Sequence, residues 1–558
     1  MTPDHDPDHD PGLDPGLDPD VIVVGGGHNG LVCAAYLARA GKRVVLLEAR
    51  PSVGGCASTV DALGARVNIC NCDHFAVRSL PLVEELGLDR HGLAYLDLDL
   101  TMAALSWSGD QPFLQFHDVS RTVESLRATL PDQVEGYQRF VADALPALRL
   151  VLYLAQAPPG PRSGLAALAA GHGKGLATLL RWSRRSAAQV LRGYFTSETI
   201  LGAAVAGGPA VWGVSPHTPG TGLGALRLAM PHAVRPGRPI GGSGALTDAL
   251  RASFEAAGGR VLTGARAERV LIEGDRVLGV RAVLEPAPID RATGGAVARS
   301  AAGAGTTELL RAALVVVACD PRATTLEWTG AIPSGLGGIK ALAERWQGRA
   351  RPPGYESKLD ALISELPMYR QIDERLLGRL GLGATDVLGA TTFITPTVDA
   401  IHTAHQALQR NEMVAEPILL ANVPSVADQT MRAPGGAHVF SLEVLFTPYD
   451  LAGGWVDSPE PGRWLEAFAG HTDGGFLAGV QQWRAMTPDR YEQEFFMPKG
   501  YAQSFAGGPL AALLGRDREL SRYRTPVRGL FVTGAATFPG AGIWGASGRN
   551  TAQVVLGR

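Results

Sequence analysis

The sequence predicts an α/β protein in which a parallel-sheet nucleotide-binding domain is interrupted by an α+β domain. Three observations predict it. A strand–glycine loop–helix–strand unit opens the chain after a polar tail, a strand–loop–helix closes it, and short β-branched strands recur between long mixed segments. The length of 558 residues accommodates two to four domains, or one large α/β unit with an insertion. Composition sets the outer limits. Hydrophobic residues are 46% and charged residues 19%, so the chain buries a core. Glycine is abundant, at 70 residues, but follows no G-X-Y period, which excludes a collagen. A net charge of −3 leaves no electrostatic footprint for nucleic acid. The cysteines Cys33, Cys56, Cys70, Cys72 and Cys319 are too few for a disulfide framework, and none pairs at zinc spacing, so no metal is expected.

Residues 1–19 are acidic, Pro-rich and repetitive, and are expected to be a disordered tail. The tail has no basic n-region or apolar h-region, which points to a cytoplasmic protein. Asp20 to Val24 then reads as a buried parallel strand, and Gly25-Gly26-Gly27-His28-Asn29-Gly30 fits G-x-G-x-x-G. Leu31 to Ala40 reads as a helix ended by Gly41, and Lys42 to Leu47 as a second strand closed by Glu48. Glu48 stands 18 residues after Gly30, where a Rossmann unit places its ribose-binding acid. Each part has a job. Gly25 allows the tight turn, Gly27 lets backbone approach a pyrophosphate, and Gly30 lets helix pack on strand. The helix N-terminus offers its amides to phosphate, with His28 and Asn29 at the variable positions. An acid at Glu48 repels a 2′-phosphate, so FAD or NAD fits better than NADP.

Ala49 and Arg50 follow, and then Gly54-Gly55-Cys56. Paired glycines six residues after the acid resemble the second flavin motif of glutathione-reductase-type FAD proteins, where a side chain would clash with the flavin. FAD is therefore the expected cofactor. No second G-x-G-x-x-G unit calls for a separate nicotinamide domain. At the other end, Leu530 to Thr533 reads as a strand and Gly534-Ala535 as a turn. Pro539-Gly540-Ala541-Gly542-Ile543-Trp544-Gly545 then leads into a helix running to about Leu556. This segment resembles the closing flavin motif of the phytoene-desaturase-like oxidoreductases. The GGGHNGLV start, the Ala427 to Val439 stretch and the Gly548-Arg549-Asn550 ending are most similar to the subgroup of pyridine nucleotide-disulfide oxidoreductase domain-containing protein 2. The resemblance covers about residues 20–557. It implies a glutathione-reductase-like FAD domain, with Gly534 and Ala535 beside the ribityl chain, the amides near Gly542 and Ile543 at the flavin edge, and the Ala267 backbone at the adenine. Ala535 stands where many relatives carry Asp, and Asn68 where carotenoid desaturases usually carry an acid, which weakens transfer of a carotenoid substrate.

Between the two ends, Pro239 to Leu246 starts a helix to about Ala257, Arg260 to Leu262 is a strand, and Arg269–Ile272 with Arg276–Val280 reads as a hairpin. Pro286 to Gly305 is a loop-like insertion, and Leu314 to Val317 a further buried strand. The FAD-binding domain is thus expected from 20–90, 231–330 and 520–558, and the substrate or lid domain from 91–230 and 331–519. Leu176 to Phe195 is amphipathic, either a helix packed on its own core or an interfacial helix giving peripheral membrane contact. No transmembrane span is expected, since the long uncharged run Thr199–Leu226 is broken by Gly and Pro.

The expected chemistry is hydride transfer from a hydrophobic or natural-product substrate to flavin N5, that is, a dehydrogenase or desaturase. A flavin amine or amino-acid oxidase, or a regulatory flavoprotein without turnover, shares the same domain plan. His74, Cys56 and Trp544 are weak candidates for base, reactive thiol and substrate wall; a structural histidine and a small buried hydrophobe suit His74 and Cys56 better, and Trp544 also suits simple packing. The electron acceptor (oxygen, quinone or a protein) and the oligomeric state are left open by the sequence.

Overall fold

The computed structural model describes residues 19–70, 72–285, 306–323, 337–349 and 351–557. The expectations for residues 1–18 and 286–305 lie outside the described residues. A five-stranded parallel sheet runs in the order Leu530–Val532, Leu314–Val317, Val21–Val24, Val44–Glu48, Arg260–Thr263. Its register is in step, with Val21 facing Leu314 on one side and Val44 on the other. The strands are apolar on both faces because both faces are covered. Val21, Val23 and Leu46 pack under the helices His28–Arg39 and Gly244–Ala256. Their alternates Ile22, Val24 and Leu47 pack under a three-stranded antiparallel sheet, Ala265–Glu273, Arg276–Leu284 and Thr306–Arg311. Each such side chain contributes roughly 1.5–3 kcal/mol by burial.

The second body is a seven-stranded mixed sheet. Its order is Val480–Met486, Gly354–Ile363, His438–Pro448, Leu419–Asn422, Thr391–Thr395, Leu100–Ser106, Phe113–Phe116. All its pairs are antiparallel except Thr391–Thr395 with Leu100–Ser106. One face of its central strands, with Leu359, Ala361, Leu442 and Val444, lies in an apolar core. The alternate residues Glu356, Lys358, Asp360 and Glu443 are also buried.

One expected element is corrected. Leu176 to Phe195 is not a single helix but two, Leu176–Trp182 and Ala187–Leu191. Ser186 and Gln189 form a capping box that restarts the helix, so the chain turns between them. Leu179, Trp182, Val190 and Leu191 are buried in the core, while Leu180 is exposed. No helix among the described residues is long and apolar enough to cross a membrane.

Candidate functional site

The glycine loop lies at the carboxyl end of the strand Val21–Val24, in the middle of the parallel sheet. Its glycines divide by what a side chain would meet. Gly25 holds φ +102°, and an added Cβ would stand 3.0 Å from Cys319 Sγ and 3.2 Å from Ala318 O. At Gly30 the Cβ would lie 2.0 Å from Gly25 O, so the helix can reach the strand only with glycine. At Gly27 it would meet nothing within 4 Å. That is the position where the loop faces open space.

The helix that follows starts at His28, three residues before the expected Leu31, so its first turn contains His28, Asn29 and Gly30. Gly27 caps it without a side-chain hydrogen bond, and no acid stands in the first turn. Its positive end is left for an anion. Burial holds the His28 ring at about 4, so it is neutral at physiological pH.

Glu48 fixes the loop from the second strand. Its Oε2 accepts from the Gly26 amide at 2.7 Å and its Oε1 from the Arg50 amide at 2.9 Å. Burial raises its pKa while these two amides lower it. Each oxygen keeps a lone pair for a ribose hydroxyl. Arg50 stacks 4.0 Å from the Phe495 ring centroid and donates to Ser58 Oγ at 3.2 Å. Its carbonyl accepts from Gly264, which leads into the strand carrying Ala267. Ala267 packs with Leu47 in one apolar cluster, beside the strand end that presents Glu48 and Ala49.

The second glycine pair lies on the first loop. The Gly54 amide donates to Gly26 O at 2.9 Å. A Cβ at Gly55 would come within 3.3 Å of Gly27 Cα. Both glycines hold positive φ, +124° and +55°. Cys56 follows directly, its Sγ 3.2 Å from Met497 Sδ. A hydrogen bond from Cys70 and the Arg50 charge hold its thiol below the usual value.

The closing segment arrives at the same place. The Gly534 amide donates to Ser547 Oγ at 2.9 Å, and Ser547 also bonds Thr533 and Thr537. Ala535 O accepts from the Phe505 amide at 3.2 Å. Gly542 has φ +105°, and a Cβ there would meet the Trp544 indole at 3.3 Å. Trp544 is half-buried over that loop. The Val77 amide donates to Ile543 O at 2.9 Å, pinning the loop. The last helix, Ala546–Val555, again begins without a side-chain cap or a first-turn acid. It lies against the first helix at Gly548, where a Cβ would be 2.2 Å from Asn29 O.

His74 is fully buried, with Nδ1 3.0 Å from Tyr95 Oη and Nε2 3.2 Å from Ser243 Oγ. Burial holds its ring at about 3, so it stays neutral with both nitrogens engaged.

Sequence reasoning named several residues without finding their contacts. Cys319 backs the Gly25 turn, and Asn68 Oδ1 accepts from the Ser243 amide at 2.9 Å, tying down the helix Gly244–Ala256. Arg549 grips Glu85 through two bonds of 2.9 and 2.8 Å, and Asn550 donates to Ala155 O and Tyr523 Oη. The Gly-Arg-Asn ending therefore clamps the last helix to the rest of the chain. Among the described residues, no group of three or more His, Cys, Asp or Glu could hold a metal ion.

Residues 23–76 match the NAD(P)-binding Rossmann-like domain family. Pyridine nucleotide-disulfide oxidoreductase domain-containing protein 2 of Rattus norvegicus is 28% identical, over 96% of this chain and 93% of its own length. A limonene dehydrogenase polypeptide of Castellaniella defragrans is 26% identical, over 96% and 94%. Over nearly its whole length the chain is thus similar to oxidoreductases, with a Rossmann-like match at its N-terminal end. Among solved structures, an oxidoreductase of Methanosarcina mazei superposes with a TM-score of 0.56 at 15% identity, covering 96% of this chain and 100% of that one. Putrescine oxidase bound to putrescine superposes at 0.59 and 16%, covering 97% and 100%, a likeness of fold. This oxidoreductase thus takes a flavin or nicotinamide cofactor, and the expected α/β fold class and enzyme class both hold.

Proposed function

We propose that this oxidoreductase is an FAD-dependent dehydrogenase or desaturase acting on a hydrophobic or natural-product substrate. The observation that carries the reading is the glycine pair Gly54–Gly55 packed on the Gly26–Gly27 backbone. It extends the side-chain-free surface past the pyrophosphate position, which a nicotinamide-only site has no use for. The residues fit a long dinucleotide. Open space faces Gly27, and two uncapped helix ends flank the loop.

FAD, when bound, supplies a hydride acceptor at N5. The turn Gly25–Gly30 would hold its diphosphate, Glu48 its ribose, and the Ala267 backbone its adenine. Gly534, Ala535, Gly542 and Ile543 would line the flavin end. The Ile543 loop, held by Val77, would present backbone donors where negative charge grows on reduction. The apolar walls would keep water out. The parts of the chain are proposed as follows: residues 20–90, 231–330 and 520–558 form the cofactor domain, because each supplies strands to the parallel sheet, and 91–230 with 331–519 form the substrate domain.

Similarity to the limonene dehydrogenase polypeptide over nearly the whole chain supports oxidation of an apolar substrate. The test is anaerobic bleaching of the purified flavoprotein across terpenes, carotenoids, acyl compounds and amines. Bleaching by an apolar compound is expected. Bleaching by amines alone would replace this reading with an amine oxidase. Reoxidation by oxygen, quinone or an acceptor protein then identifies the second half-reaction.

A further inference from the structure

Beside the segment Asp73–Val77 lies a small cavity of about 40 Å³, open to solvent on one side, with room for a head group and the first carbons of a ligand. Its wall is largely apolar, with Phe75, Met102, Leu228 and Phe393. One guanidinium enters it. Arg227 stands at the start of the helix Leu226–Ala233, with its Cζ 4.2 Å from the centroid of the Phe75 ring. No carboxylate lies within ion-pair distance of it among the described residues, and it makes no hydrogen bond there. Asp73, the acid whose charge reaches it, is committed elsewhere. Asp73 Oδ1 accepts from Arg238 Nε at 2.7 Å, and Oδ2 accepts from Thr391 Oγ1.

Arg238 adds a second observation. It is 2% exposed, and its Nη1 is buried with no hydrogen-bond partner. Its other contact is Thr391, which together with Asp73 lines the cavity. The remaining polar walls are neutral. Gln115 spends its amide on Tyr137 Oη at 2.9 Å and Leu228 O at 2.7 Å, and Thr101 donates to Gln115 O. Arg238 is buried and Arg227 part-buried, so two guanidiniums face one carboxylate in a largely apolar setting, leaving an excess of one positive charge. An uncompensated buried charge is costly, and a guanidinium satisfies its donors best on a planar carboxylate.

The geometry points to a carboxylate-bearing apolar molecule as the substrate class, its head group paired with Arg227 and its first carbons against Phe75, Met102 and Phe393. This rests on the oxidoreductase acting on a hydrophobic substrate, and narrows it. The cavity adjoins the cofactor end through the chain itself, since Asp73 and Phe75 line it and Val77, two residues on, bonds Ile543. A cationic amine would meet the excess positive charge and be repelled.

The test uses the purified full chain and three probes of one chain length: decanoate, decanol and decylamine. Binding is read by titration calorimetry and tryptophan fluorescence, which need no turnover and no flavin signal. Decanoate is expected to bind at least tenfold more tightly than decylamine. Arg227→Met is expected to weaken decanoate tenfold or more while leaving decanol within twofold. Arg227→Lys, which keeps the charge without the fork, should fall between, and guards against a misfolded Met variant. Equal binding of decanoate and decylamine, no binding of any probe, or decanoate affinity unchanged in both variants would overturn the inference. A protein that binds decanoate but carries no flavin would instead overturn the FAD reading and leave this site standing.

Discussion

The two sheets of the molecule solve opposite problems. The five-stranded parallel sheet holds only apolar side chains in Val21–Val24 and Leu314–Val317, and does its chemistry with backbone at the strand ends. The seven-stranded sheet buries charge in its middle. Lys358 pairs with Asp360, sits across from Glu443 in register, and shares Asp360 with Arg484 at 3.1 Å. Generic backbone geometry serves a cofactor that many proteins share. Buried side-chain charge fills the body proposed to meet the substrate.

The largest expected effect separates the two kinds of glycine on the first sheet. Gly30→Ala drives a Cβ to 2.0 Å from Gly25 O, so it should cost roughly 3–5 kcal/mol and lower the melting temperature steeply. A melting temperature close to the parent's would mean that the helix and strand are not in this contact.

On the second sheet, Lys358→Met removes the cation between buried acids and should cost roughly 3–5 kcal/mol in urea unfolding. A neutral result would mean the acids are protonated or solvated. Smaller again is the clamp on the last helix. Arg549→Ala loses two bonds to Glu85 and one to Gln156 O, an expected loss of about 1–3 kcal/mol.

The second sheet should also respond to pH. Burial raises Glu443 from 4.5 to about 7. Between those values the folded chain holds a proton that the unfolded chain releases. Its stabilising contribution is therefore full below the unfolded value and lost as pH rises through about 7. Glu443→Gln should flatten that slope in a melting-temperature series from pH 5 to 8, and an unchanged slope would assign it to another group.

Legibility followed the same division. The strand at Val21, the glycine loop, Glu48 and the closing Gly534–Gly545 turn could be read because each is local and constrained by backbone space. The Gly30 contact and the buried strands follow from period and glycine spacing alone. Glu356, Lys358 and Asp360 were not legible, since alternating charge in a strand looks the same whether it faces water or a neighbouring body. Arg227 was equally hidden, because its meaning depends on Phe75 and Asp73, more than 150 residues away in sequence. The break between Leu176–Trp182 and Ala187–Leu191 had a signal, the Ser186-x-x-Gln189 capping box, which the amphipathic period masked.

The cofactor reading stands or falls on the Gly27 face belonging to a dinucleotide and not to packing. The direct measurement is Gly27→Val, read by thermal melting and visible flavin absorption on the same purified sample. With no atom within 4 Å of the added Cβ, the protein should fold with nearly the melting temperature of the flavin-free parent and carry no flavin. A variant that folds and keeps its flavin would refute that assignment.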